Sequence, residues 1–452
     1  MSQTERANFG SRLGIILATA GSAVGLGNVW RFPYMTGQNG GAVFLIIYVV
    51  CVLLLGIPCM INEFIIGRHA QANTARAYTK MAGGGAWSAV GFLGVLTGFL
   101  ITGYYAVVSG WCLQYIYASA VGHLSGDAAY IGEFFNQFVS HPWKPIVWML
   151  LFFAVTHVVI VYGVEKGIER ASKLLMPTLF ILLLVIVVAS CLLPGAGEGI
   201  SFLLKPDFSK LDGDVLLGAL GQSFYSLSLA MGCICTYASY FSRKTNLGAS
   251  AVQISIVDSV VAVLAGLMIF PAAFSVGVSP DSGAKLVFIT LPNVFQQAFS
   301  AMPALGYIIA LSFYALLSLA ALTSLISLHE VSTAFFHEEL HVKRHWAALI
   351  VTLSCAVIGC FCSLSFSQEG LSLFGMSLFD LFDFVTGQIF LPVGGFLTCL
   401  FVGWVVPRRV VLDEFTNNGT LRSRFFSLYL FSVRYVCPVC ILLIFLHQLG
   451  VV

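Results

Sequence analysis

Apolar residues run in stretches of about 20, the length that crosses a bilayer as a helix, with short polar connections between them. Eleven such spans are predicted, near 12–37, 42–67, 88–122, 146–162, 174–193, 215–241, 251–277, 305–336, 346–363, 378–406 and 425–450. Two of them are interrupted. In the first, Gly21-Ser22-Ala23-Val24-Gly25-Leu26-Gly27-Asn28 precedes Val29-Trp30-Arg31-Phe32-Pro33. Each glycine there gives up roughly 1 kcal/mol of helix propensity relative to alanine. The sixth holds Gly221-Gln222-Ser223-Phe224-Tyr225-Ser226-Leu227-Ser228-Leu229-Ala230-Met231-Gly232. Non-helical backbone survives at membrane depth only where protein covers it or a polar cavity receives it. Two broken spans five apart therefore predict an inverted five-plus-five repeat with a solute site at the midplane. On this reading 1–452 is one transporter domain, with repeats at 12–193 and 215–406 and an added helix at 425–450.

Composition agrees: 58% of residues are hydrophobic and 9% charged, against about 25% charged in soluble proteins. The expected fold class is an all-α polytopic membrane protein, with the lipid bilayer as its surroundings. A net charge of +2 argues against nucleic acid as a partner. Lys and Arg concentrate in alternate connections (Arg68, Arg76, Lys80; Lys166, Arg170, Lys173; Arg243, Lys244; Arg408, Arg409). The positive-inside rule then puts the N-terminus in the cytoplasm and the protein in the inner (plasma) membrane. The polar stretch 1–11 leads straight into a full-length span, so no cleavable signal is expected. The 12 cysteines fall mostly in apolar runs and read as small hydrophobes. Cys233-x-Cys235 and Cys437-Pro438-Val439-Cys440 have metal-like spacing but no histidine or acidic neighbours, and no metal role is expected for them.

The first break offers two kinds of group. Carbonyls near Gly21, Ala23 and Val24, with the Asn28 side-chain oxygen, are hard neutral ligands suited to an alkali cation. The amides of Leu26 and Gly27 begin the second half-helix, whose positive dipole end favours an anion. Sodium beside an amino-acid carboxylate satisfies both. Asp258 lies deep in the seventh span, where an ionisable residue is a functional candidate. Thr323 and Ser324 place adjacent hydroxyls in the eighth.

With Tyr104-Tyr105, Lys166-Gly167-Ile168-Glu169-Arg170, Met176-Pro177-Thr178, Thr236-Tyr237-Ala238-Ser239-Tyr240 and Leu322-Thr323-Ser324 added, the chain resembles, over its full length, the neurotransmitter:sodium symporter family, in its bacterial amino-acid branch. The resemblance implies sodium-coupled import of hydrophobic L-amino acids by alternating access. It implies two sodium sites: Ala23, Asn28, Ser226 and Asp258 with the substrate carboxylate, and Gly21, Val24, Ala320, Thr323 and Ser324. Substrate would meet Ala23, Gly25, Leu26, Gly27, Tyr105, Tyr225, Ser226 and Ser324, its side chain facing Ile101, Tyr225, Ser228, Met231, Ser324 and Leu328.

Monoamine members carry aspartate at the position of Gly25, so glycine argues for an α-amino acid. Asp258 stands where many members have asparagine, which implies that no chloride is needed and opens a route to proton antiport. Ala230 departs from the family's glycine and would either stiffen the break or trim the pocket. The resemblance also implies an outer gate of Arg31 with Asp383 above Tyr105 and Tyr225, and an inner gate of Arg6 with Glu338. Gly167-x9-Pro177 is read as an unwinding point in the fifth helix. No nucleophile and base share the cavity, so catalysis is not expected. A transport-dead sensor on the same fold and a symporter for another small amino acid or derivative are the competing readings.

Overall fold

A computed structural model describes residues 8–277, 286–367, 370–422 and 424–451. It is an all-α polytopic membrane protein. Among the described residues nine helices are long and apolar enough to cross a membrane, and the bent pair Arg12–Ala23 and Gly27–Gln38, turned by 53°, makes a tenth. The sixth expected span is present as two short helices, Gly213–Ser226 and Cys233–Ala238. Neither half is long enough to cross alone, which accounts for ten crossings by length against the eleven read from hydropathy.

The fifth helix starts at Val164 rather than near 174. Glu165, Lys166, Glu169, Arg170 and Lys173 hide its first turns from a hydropathy reading, although they are helical. The expected unwinding point there is a wide π-type turn, Val164–Glu169, followed by a helix that runs through Pro177. The eighth span, Pro303–Glu339, has 37 residues and is about 55 Å long at 1.5 Å per residue, well beyond the hydrocarbon thickness. Short helices cap the bundle at Thr74–Ala82, Ala128–Val139, Ala196–Leu204, Leu291–Ala298 and Arg408–Phe415.

Small residues set the helix spacing around the breaks. A methyl on Gly21 would lie 3.3 Å from Thr323 Cβ, and one on Gly98 would lie 2.9 Å from the Met231 carbonyl. Gly67 packs so closely on the Cys235 carbonyl that a methyl there would overlap it. These contacts draw the first span to the eighth, and the second and third to the sixth.

Candidate solute site between the broken helices

The first helix stops at Ala23. Val24 is extended (φ −70°, ψ 104°), and helical winding resumes as a π-type turn, Gly27–Arg31. In the sixth span the chain leaves the helix after Ser226. Ser228 (φ 54°), Ala230 (φ 64°) and Gly232 (φ 78°) all take left-handed conformations before Cys233 restarts it. Only glycine does this without cost, so the two L-residues need support. Buried Glu63 supplies it by accepting from the Ala230 amide at 2.6 Å and the Cys235 amide at 3.2 Å. Ser228 Oγ donates to the Ser22 carbonyl at 2.9 Å, lacing one break to the other.

Oxygen atoms converge beside these breaks in two groups. In the first, fully buried Asp258 takes the Asn28 amide nitrogen on Oδ1 at 2.7 Å. Its Oδ2 accepts from Ser226 Oγ at 2.8 Å and the Tyr48 hydroxyl at 3.0 Å. Asn28 Oδ1 faces the Gly25 amide at 3.1 Å. A half-turn of that side-chain amide exchanges its two ends and presents the oxygen to Asp258's side instead. In the second group, the Val24 carbonyl lies 3.5 Å from Thr323 Oγ1 and 3.3 Å from Ser324 Oγ. Thr323 Oγ1 also reaches the Ala320 carbonyl at 3.0 Å.

Between the groups lies a narrow cavity of about 40 Å³. It is lined by Ala23, Gly25, Leu26, Gly27, Ile101, Tyr105, Tyr225, Ser226, Ser228, Met231, Ser324 and Leu328, the twelve residues expected around a substrate, together with Ser22. The Leu26 amide donates to the Tyr105 hydroxyl at 3.3 Å. A methyl on Gly25 would sit 2.5 Å from Ser324 Oγ and 3.2 Å from the Tyr105 hydroxyl, so no side chain fits there. Ala230 does not trim this cavity. Its methyl faces Gly394 in the tenth span, where an added Cβ would meet it at 3.5 Å.

Above Tyr105 and Tyr225 opens a second, larger cavity of about 520 Å³, which Arg31 and Asp383 both line. The expected pairing of these two is absent. Arg31 lies over the Tyr225 ring at 4.3 Å, and Asp383 accepts from the Tyr104 hydroxyl at 3.2 Å. Both line the wall of this cavity without an ion pair between them.

The opposite side is sealed. Buried Phe9 packs edge-on against Tyr237 and Tyr240 at 5.8 and 6.2 Å, and its amide donates to the Tyr240 carbonyl at 3.2 Å. Glu169 binds the Gly10 amide at 2.6 Å and Ser11 Oγ at 2.7 Å. Of the expected inner pair, Arg6 lies outside the described residues. Glu338 accepts from the Asn73 amide at 2.8 Å, at the N-cap of Thr74–Ala82.

Residues the sequence did not single out are Tyr48, Glu63, Ser22 and Gln222. Gln222 Nε2 reaches the Gly27 carbonyl at 3.4 Å, while its buried Oε1 lacks a hydrogen-bond partner among the described residues. Each is a polar side chain within an otherwise apolar span, a signal shared by many helix-packing residues.

Comparison with known proteins gives a consistent picture. A family model described as the sodium:neurotransmitter symporter family matches residues 6–137 and 137–452. The chain is 38% identical over 454 residues to the uncharacterized sodium-dependent transporter YhdH of Bacillus subtilis, covering 100% of this chain and 99% of that one. It is 25% identical over 465 residues to the human sodium- and chloride-dependent GABA transporter 2, covering 91% of this chain and 75% of the relative. Among solved structures it is similar to MhsT in complex with L-phenylalanine, with a TM-score of 0.88, 42% identity, and coverage of 98% of this chain and 100% of that one.

Proposed function

The chain belongs to the sodium:neurotransmitter symporter family, and on that premise we propose that it imports hydrophobic L-amino acids together with sodium, without chloride. As a member it is a multi-pass sodium-dependent transporter and not an enzyme. The observation that carries the finer reading is the juxtaposition of two oxygen clusters with a cavity that has no room for a side chain at Gly25. A cation held by Asp258, Asn28, Ser226 and the Ala23 carbonyl would sit beside the substrate carboxylate, which Leu26, Gly27 and Tyr105 would orient. A second would sit among Gly21, Val24, Ala320, Thr323 and Ser324. The site then offers the cargo no fixed anion at Gly25, so the cargo must bring its own.

Ile101, Met231 and Leu328 make the side-chain end apolar, and unbranched Met231 adapts to several shapes. The similar protein MhsT was crystallised with L-phenylalanine, which supports an aromatic or aliphatic cargo here. Asp258 supplies inside the protein a negative charge that a chloride-dependent relative must take from solution. In the closed state Arg31 would meet Asp383 over the Tyr105–Tyr225 lid. The repeats 12–193 and 215–406, with a cytoplasmic N-terminus, belong to the same proposal.

A thermal-shift screen of the twenty amino acids, with and without sodium and with chloride replaced by gluconate, tests it. Sodium-dependent stabilisation by apolar amino acids, unchanged in gluconate, is expected. Stabilisation by polar or charged ones alone, or a strict need for chloride, would overturn it.

A further inference from the structure

Away from the solute site, three cysteines from three different helices point at one another. Cys59 of the second span, Cys399 of the tenth and Cys437 of the eleventh bring their sulfur atoms within 4.8 Å of each other. Cys59 and Cys399 are 3.6 Å apart. All three are buried, with 5%, 0% and 0% exposure. Cys437 is thus gathered with Cys399 of the tenth span and with the distant Cys59 of the second, rather than with Cys440, which its sequence spacing suggested.

Each of the three helices carries a π-type turn within three residues of its cysteine: Val52–Gly56, Phe401–Val405 and Ser432–Val436. Such turns are uncommon, cost helix hydrogen bonding, and occur frequently at functional sites. Four more occur elsewhere among the described residues, so these turns shape the helices around the sulfurs rather than mark a ligand by themselves. Inside the first of these turns, the Leu54 carbonyl accepts from Ser432 Oγ at 3.0 Å and faces Cys437 Sγ at 3.7 Å. The turns fix both the backbone and the thiols.

We propose that Cys59, Cys399 and Cys437 form a three-sulfur site for a soft monovalent cation of the copper(I) class. A metal about 2.3 Å from each of three sulfurs in a plane spaces them about 4 Å apart, which the observed cluster already approaches. Zinc would require a fourth ligand. Of the side-chain oxygens beside the sulfurs, Ser432 Oγ lies 3.4 Å from Cys437 Sγ and donates to the Leu54 carbonyl, and Asn62 Oδ1 accepts from the Tyr429 hydroxyl at 2.6 Å. Copper(I) accepts all-sulfur, low-coordinate sites. The ligands are thiolates, so each coordinating thiol releases one proton on binding. Coordination changes no oxidation state. The bound ion would staple the second, tenth and eleventh spans together.

The test uses the purified full-length protein, reduced and anaerobic, titrated with copper(I) against the chromophoric competitor bicinchoninate. About one copper per chain is expected, with X-ray absorption reporting sulfur ligands only. Cys59→Ala and Cys399→Ala should weaken binding at least about tenfold, while Cys233→Ala and Cys440→Ala retain it. Full retention in Cys399→Ala, nitrogen or oxygen ligands in the absorption spectrum, or a Cys59–Cys399 disulfide by intact mass would overturn the site. If a variant loses sodium-dependent thermal stabilisation and so has not folded, the absorption spectrum of the wild type decides.

Discussion

At the scale of single residues, Asp258 is held from several sides. Both of its oxygens are occupied, and the Tyr48 hydroxyl is one of the donors. A hydrogen bond to a charged group contributes about 1.5–3 kcal/mol. Tyr48→Phe removes it with little change of shape, and sodium activation of uptake should weaken by roughly tenfold or more. An unchanged sodium dependence would mean that Tyr48 serves packing alone.

The comparison with sequence is instructive here. Asn28, Asp258, Thr323 and Ser324 stood out because polar groups are expensive in apolar runs, and Gly25 because of what it lacks. Tyr48 did not. A tyrosine in an apolar span is ordinary, and only the folded chain shows that its hydroxyl ends on a carboxylate 210 positions away.

At the scale of elements, the breaks were legible and their supports were not. Glycine-rich stretches inside apolar spans announce themselves, but the carboxylate that holds the second break open belongs to another helix. The fifth helix shows the reverse: its charges concealed turns that are helical all the same. Hydropathy locates lipid contact rather than helix ends.

The orientation of Ala230 gives a prediction at this scale. Because its methyl faces Gly394 and not the cavity, Ala230→Gly should leave the ranking of amino acids in competition uptake unchanged, while Met231→Ala should shift it toward bulkier side chains. A change of ranking in Ala230→Gly would restore the pocket-trimming reading.

At the scale of the molecule, one face is open and the other tied. Besides Phe9 and Glu169, a polar knot at the end of the second span contributes. Glu414 on Arg408–Phe415 pairs with buried Arg68 at 2.7 Å, with Arg243 at 2.8 Å and with His69 at 3.1 Å. Arg68 also binds the Thr245 carbonyl at 2.5 Å and the Glu414 carbonyl. Burial raises the Glu414 carboxyl, but the His69 hydrogen bond and the charges of Arg68 and Arg243 outweigh it. Its pKa ends below the ordinary carboxylate value.

A depressed folded-state pKa gives stability that is complete above the unfolded value, about 4.3, and lost as pH falls through the folded one. Glu414→Gln should therefore cost roughly 3–5 kcal/mol near neutrality, as for a broken buried pair. In thermal unfolding, its gap to the wild type should narrow below about pH 4. A gap that does not depend on pH would assign the loss to packing.

The hydrogen bond from Ser228 to the Ser22 carbonyl joins two broken stretches that lie 206 positions apart in the chain. Neither can rewind into helix without tugging its counterpart, because the carbonyl that one would reclaim is the acceptor the other depends on. A transporter wastes its ion gradient when one side of the machine cycles alone. With the Gln222 amide on the Gly27 carbonyl, this bond makes the two breaks one mechanical unit, so that a shift of backbone at either is carried to the other.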